Sequence, residues 1–255
     1  MEFEPDYRQF EKVMQNQRPA RLPLYEHIIS PAVMETILGK PFAHLIEGDR
    51  SDIEEFFTHY CGFFKQMTYD VVTFEVCITE ILPESGALSG GRPGPIQNRS
   101  DFEAYPWDRL CEKYDQYASH KFKALAKALP AGMKAVGGVG NGVFEISEDL
   151  VGLEYLPFMQ ADDPELYRDL HIRIGDLMVG IWRRFLRQHA DRFVACRFGD
   201  DLGFKDSLLT HPATIRNHIV PQYKRVIDLI HDHGKPFLWH SCGCIFEIME
   251  EVIGL

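Results

Sequence analysis

Two periodicities alternate along the chain. Apolar residues recur every three to four positions over residues 6–15, 51–66, 119–129, a long segment opening at Pro164, residues 216–232 and a last stretch from 245 to 253. That spacing predicts amphipathic helices. The Pro164 segment carries the clearest stripe, Leu166, Leu170, Ile174, Leu177, Ile181 and Phe185. Asp163 stands before it as an N-cap, and Pro164 suits the first helical position. Ser51 with Glu54 three residues on reads as a capping box for the second helix. Five short apolar runs lie between the helical segments, at residues 22–26, 70–75, 133–139, 193–198 and 236–240.

Each run leads through a loop into helical sequence, and strands alternating with helices predict a parallel sheet. The crossovers are long and no dinucleotide-type glycine fingerprint follows a run, so a (β/α)8 barrel of the TIM type is favoured over a doubly wound sheet. A barrel of that class needs about eight strands. Five are visible, and Leu255 falls inside the sixth helical region. The expectation is one domain over residues 1–255 with five to six βα units, incomplete at its C-terminal end. The run 236–240 would then leave an open edge, which invites pairing and makes a homo-oligomer possible. The alternative is that strands are hidden in the Gly/Pro-rich stretch 83–95 and its continuation to Trp107.

Composition narrows the partners. Hydrophobic residues at 45% and charged residues at 25% make the chain globular. A net charge of −11 without a Lys/Arg block argues against nucleic acid, whose phosphates need a basic patch. No apolar stretch approaches a membrane span, and no signal peptide follows Met1. Six scattered cysteines in so long a chain read as reduced thiols, as in a cytoplasmic protein.

In parallel α/β folds the chemistry lies at the C-terminal ends of the strands. That rule selects Glu26 and His27, Glu75 and Cys77, residues 140–144 with Asn141 and Phe144, Asp200 and Asp201, and residues 240–244. His240 and Cys242 at i and i+2 share one face of a strand end and can reach one metal. As zinc ligands their donor atoms would stand roughly 3 to 4.5 Å apart. The alternative is a free thiol beside a hydrogen-bonded histidine. Cys244 is a further possible ligand, although it already enters the next helix. Asp200 and Asp201 offer carboxylates to orient a histidine or take a proton, or else cap a solvated turn. Glu26 and Glu75 offer oxygen ligands, or else pair with an arginine such as Arg92 or Arg197. The run from Gly137 to Gly142 lacks both the P-loop Lys-Ser/Thr and the G-x-G-x-x-G spacing. Its glycines are better read as letting backbone approach a bulky ligand closely.

The segment from Phe10 to Tyr25, the run 70–75, Gly199-Asp200-Asp201-Leu202-Gly203, the helix containing Pro221 and His240-Ser241-Cys242-Gly243 together resemble the uroporphyrinogen decarboxylase superfamily, and within it the corrinoid-linked methyltransferases. The resemblance spans nearly the whole chain, and His-x-Cys is its only specific motif. It implies a (β/α)8 barrel, zinc on His240 and Cys242, and methyl transfer between a small methyl donor or thiol and a corrinoid (cobalamin) carried by a partner protein. Asp200, Asp201 and Glu75 become the expected catalytic groups, with Glu26, Asn141 and Phe144 around the substrate. In those methyltransferases a later cysteine completes the metal site; this sequence ends before it, so the third ligand is absent or improvised. The decarboxylase branch clamps a polycarboxylate tetrapyrrole with arginine after the first strand, and none follows Pro23-Leu24-Tyr25-Glu26 here. Tetrapyrrole decarboxylation and a non-catalytic truncated form are the alternatives.

Overall fold

The computed structural model describes residues 3–255. Its elements run α1 (Arg8–Met14), α2 (Pro31–Leu38), α3 (Arg50–Gln66), β1 (Val71–Cys77), α4 (Arg99–Ala104), α5 (Trp107–Ala128), β2 (Lys134–Gly140), α6 (Val143–Val151), α7 (Leu156–Asp162), α8 (Pro164–His189), β3 (Phe193–Gly199), α9 (Pro212–Thr214), α10 (Val220–Asp232), β4 (Phe237–His240) and α11 (Met249–Ile253). The strands form one sheet in the order β1-β2-β3-β4, every pair parallel. Glu75 stands beside Gly138 and Gly199 beside His240, so the C-terminal ends form one rim.

Four of the five expected runs are strands. The first, 22–26, is not. Leu22 is 82% exposed, Pro23 has no N–H to donate to a ladder, and Tyr25 turns to pack on Phe10 at 5.6 Å between ring centroids. Residues 83–107 hold α4 and a 3-10 turn, and no strand. Two edges of the sheet, at β1 and β4, pair with no other strand among the described residues.

The helices cover one face of the sheet. Val72, Val76, Ala135, Cys196 and Phe198 meet the stripes of α3, α5, α8 and α10 in one continuous core. The stripe read in α8 is buried throughout, and Asp163 caps it by accepting from the Leu166 amide at 2.8 Å. The capping box of α3 lies two residues earlier than expected. Asp49 accepts from the Ser51 and Asp52 amides, and Asp52 accepts from Asp49 N–H at 3.0 Å. The acidic side chain at 49 is the better cap because its ionised carboxylate meets two amides at once. Helix α5 starts at Trp107, twelve positions before the expected 119. In the glycine run, Gly138 takes φ +114° against α8. A Cβ there would press on the rings of Phe185 and Trp182 from α8, so the bare backbone serves helix packing.

The other face is closed at its N-terminal end. Phe10 of α1 packs on Val71, Val136, Val194 and Ala195. Asp70, 1% exposed, accepts from the Asp6 amide at 2.7 Å and from Arg21 at 2.5 Å. No helix among the described residues is long and apolar enough to cross a membrane.

Candidate functional site

The opposite, C-terminal rim gathers titratable side chains from the ends of β1, β3 and β4 and from α6, which follows β2. Two loops, one after β3 and one after β4, are docked on each other there. Asp200 N–H donates to His240 O at 2.9 Å and Gly203 N–H to Cys242 O at 3.2 Å, while Leu202 N–H donates to Ser241 Oγ at 3.0 Å. The contact is close enough that a Cβ on Gly203 would lie 2.6 Å from the Gly243 carbonyl carbon, and Gly243 itself sits at φ +75°. Glycine at both positions lets the two runs meet.

This docking sets Asp201 against His240 and Cys242. His240 Nε2 lies 3.4 Å from Cys242 Sγ, inside the range two ligands of a tetrahedral zinc keep. Asp201 Oδ1 lies 3.7 Å from His240 Nε2 and accepts the Cys242 N–H at 2.8 Å. All three donor atoms fall within 4.8 Å of one another. The hydrogen bond to Asp201, with partial burial and the carboxylate charges nearby, holds the Cys242 thiol above its usual range.

The two aspartates face different ways. Asp200 is fully buried. Its oxygens accept from the Phe144 and Glu145 amides at the start of α6, both at 2.8 Å, and from the Tyr223 hydroxyl. Burial and the neighbouring Glu145 raise its pKa, against those hydrogen bonds. Glu148, one turn on, has its carboxyl pushed up to about 8 by burial and by Asp200, Glu145 and Asp201.

A buried ion pair supports the β1 side of the rim. Arg197, 3% exposed, donates to Glu75 at 2.5 Å and to His27 Nε2 at 2.7 Å. Glu75 therefore makes the arginine pair open to it from sequence, and with Arg197 rather than Arg92. Burial raises the Glu75 carboxyl and the arginine works against that. Because Arg197 only donates, His27 must accept through Nε2 and carry its proton on Nδ1. That Nδ1 is buried with no partner. Burial first, then the charges of Arg197 and His240, lower the His27 pKa to about 4, so the ring is neutral. It stacks on His240 at 5.2 Å between centroids. Beside this pair lies a cavity of about 300 Å³, lined by His27, Phe56, Thr73, Glu75, Cys77 and Lys121 among others. The Thr73 hydroxyl is a second buried polar atom without a partner in its wall.

Of the residues singled out from sequence, His240, Cys242 and Asp201 come together, and Glu75 joins the rim through Arg197 and His27. Asn141 is nearby, in the left-handed conformation at φ 66°. It accepts from Thr79 N–H at 3.1 Å and donates to Glu145 at 2.8 Å. Glu26 is exposed, and its neighbour His27 takes the inward place. The Phe144 ring is 1% exposed within the helix-side core. Cys244 is outside the group of three donors, its N–H spent on Phe204 O. Glu145, Glu148 and Tyr223 escaped the sequence reading as site residues. The available signal was the helical spacing of Val143, Ile146, Leu150 and Val151, hidden behind the glycine run.

No protein-family model matches the sequence, and no curated protein matches it. Among solved structures the chain is similar to a methyltransferase from Methanosarcina mazei, with a TM-score of 0.72 and 11% identity, over 98% of this chain and 73% of that one. At that identity the likeness is one of fold.

Proposed function

We propose that the chain is a zinc-dependent methyltransferase of the uroporphyrinogen decarboxylase-like class, part of a (β/α)8 barrel, that moves a methyl group between a small donor or thiol and a corrinoid held by a separate protein. The observation that carries this reading is the convergence of His240 Nε2 and Cys242 Sγ at 3.4 Å on the C-terminal rim, with a carboxylate beside them. Nitrogen and sulfur donors suit zinc and are wrong for magnesium or calcium, which take oxygen. The fold shared with a methyltransferase supports the same reading.

Bound zinc would supply a Lewis acid able to polarise a methyl-bearing heteroatom or to hold a substrate thiol as thiolate. The chain's own groups have separable parts. His240 and Cys242 would hold the ion. Arg197 fixes the neutral His27 ring, and the stacked His27 orients His240. Asp200 positions α6, and through it Glu145. Glu75 and the cavity beside His27 face the substrate, with Asn141 nearby, and the substrate is small and largely apolar to match walls that include Ile29, Ile46, Phe56, Phe74 and Val76. A polycarboxylate tetrapyrrole suits the rim poorly, because Arg197, the one arginine buried among the described residues, is already committed to Glu75 and His27.

The test is zinc content of the purified protein, followed by methyl transfer with added corrinoid protein. Wild type should carry about one zinc and turn over, and Cys242→Ser should lose both, since a hydroxyl stays protonated where a zinc-bound thiol does not. Equal zinc content and equal turnover in the two proteins would end this reading.

A further inference from the structure

We infer that Asp201 is the third protein ligand of the zinc site, giving one imidazole, one thiolate and one carboxylate with a fourth position open. The inference rests on the zinc reading above and deepens it.

Four observations lead there. First, the distances fit an ion. A tetrahedral zinc with nitrogen and oxygen ligands at about 2.0–2.2 Å and sulfur at about 2.3 Å separates its donors by roughly 3.3–3.8 Å. His240 Nε2 is already 3.4 Å from Cys242 Sγ and 3.7 Å from Asp201 Oδ1. Second, Asp201 is built into place. The Cys242 amide donates to it at 2.8 Å, and the backbone bonds between residues 200–203 and 240–242 fix the two loops in one register. Third, the competitors are elsewhere. Asp200 is buried with both oxygens engaged, and among the described residues no other group of three His, Cys, Asp or Glu donors gathers as closely. Fourth, Asp201 and His240 are each 41% exposed in the side chain and Cys242 is exposed, so an ion and a substrate reach the site from solvent.

Three protein ligands with one open position is the arrangement of catalytic rather than structural zinc. A neutral imidazole, one thiolate and one carboxylate together balance the two positive charges of the ion. With a single thiolate donating to it, the zinc keeps more of its electrophilic character for the fourth ligand than it would with two.

The experiment measures zinc affinity by competition with a chromophoric chelator in wild type, Asp201→Asn and Cys242→Ser, with cobalt(II) as a spectroscopic substitute. Asparagine keeps an oxygen to accept the Cys242 N–H and so preserves the docked loops, which an unchanged denaturation midpoint verifies. Asp201→Asn should weaken zinc at least about 100-fold, beyond the 10–100-fold typical of residues that only orient a ligand. Its cobalt form should keep the thiolate-to-cobalt absorption band, because Cys242 still binds, whereas Cys242→Ser should lose it. Asp201→Glu should recover part of the affinity. If wild type binds zinc and Asp201→Asn weakens it less than about 100-fold, Asp201 is at most an orienting residue, not a ligand, and the zinc reading stands without it. If wild type binds no zinc, the reading beneath falls and this inference falls with it.

Discussion

The two mouths of the sheet are built on opposite principles. At the N-terminal mouth, α1 lays Phe10 over Val71, Val136 and Val194, and the one buried carboxylate, Asp70, meets both a cation and a backbone amide. At the C-terminal mouth, Asp200, Glu145 and Glu148 lie together, and the charges that push the Glu148 carboxyl up are those of other carboxylates. There the His27 Nδ1 and the Thr73 hydroxyl are buried without partners, and a thiol stands exposed. Groups of one sign left together and donors left unpaired oppose folding. The carboxylates crowd at the C-terminal end, whereas Asp70 at the other end is met by a cation and an amide, and an uneven distribution of that kind fits the proposal that chemistry lies at the C-terminal rim.

The sharpest way to break that comparison is to remove the cation that supports the working end. Arg197→Ala leaves Glu75 buried without its partner, and breaking such a pair costs about 3–5 kcal/mol. A urea or guanidinium titration should register that loss, and the double variant with Glu75→Gln should recover much of it, since the two residues are directly coupled. A loss under about 1 kcal/mol would class the pair with ordinary surface salt bridges, and the rim would have no ionic base.

A smaller change should raise stability. Glu148 holds its proton more tightly folded, at about 8, than its ordinary 4.5. Unfolding therefore releases a proton, and stability declines as pH rises from about 4.5 toward 8. Glu148→Gln removes that penalty. It should gain about 3 kcal/mol at pH 7 and almost nothing below pH 4, a difference that denaturation midpoints across the range would record. A gain that is the same at every pH would trace to packing and remove Glu148 from the charge imbalance at the top.

How far the sequence foretold this division depends on distance along the chain. His240 and Cys242 are legible because two residues on one strand end are neighbours by geometry alone. The buried stripe of α8 is legible because its period is regular over 26 residues. The Glu75–Arg197 pair spans 122 positions, and a one-dimensional pattern offers Arg92 with equal claim. Helix α5 hides its first turns because Asp108, Arg109, Glu112 and Lys113 crowd between Trp107, Leu110 and Tyr114. The run 22–26 fails for a different reason. Alternation of Leu22 and Leu24 around Pro23 describes an extended segment equally well whether or not a sheet accepts it, and here both leucines face solvent. Asp200 and Asp201, adjacent in sequence, looked interchangeable. Only the turn after β3 sends one to the α6 amides and the other to Cys242.

The smallest expected change in stability tests whether the working mouth can be loosened alone. Ser241 Oγ accepts the Leu202 amide at 3.0 Å and donates to Cys242 O at 3.2 Å, tying the two loops beside the donor group. Ser241→Ala removes both bonds at a rim where water can replace them, so the fold should lose less than about 1 kcal/mol. The same change frees Asp201 to drift from Cys242, and zinc affinity should fall about tenfold, as it does when an orienting partner of a ligand is removed. Thr36→Ala is the matched control. It deletes an exposed hydroxyl bond to Ala32 O on α2, away from the rim, and should lower stability by a similar small amount with zinc affinity unchanged. If both variants shift zinc affinity equally, the effect is general softening, and the docked loops do not hold the site. If Ser241→Ala alone weakens zinc while both barely move the denaturation midpoint, the two mouths are energetically separate, and the upper one can be altered without disturbing the fold beneath it.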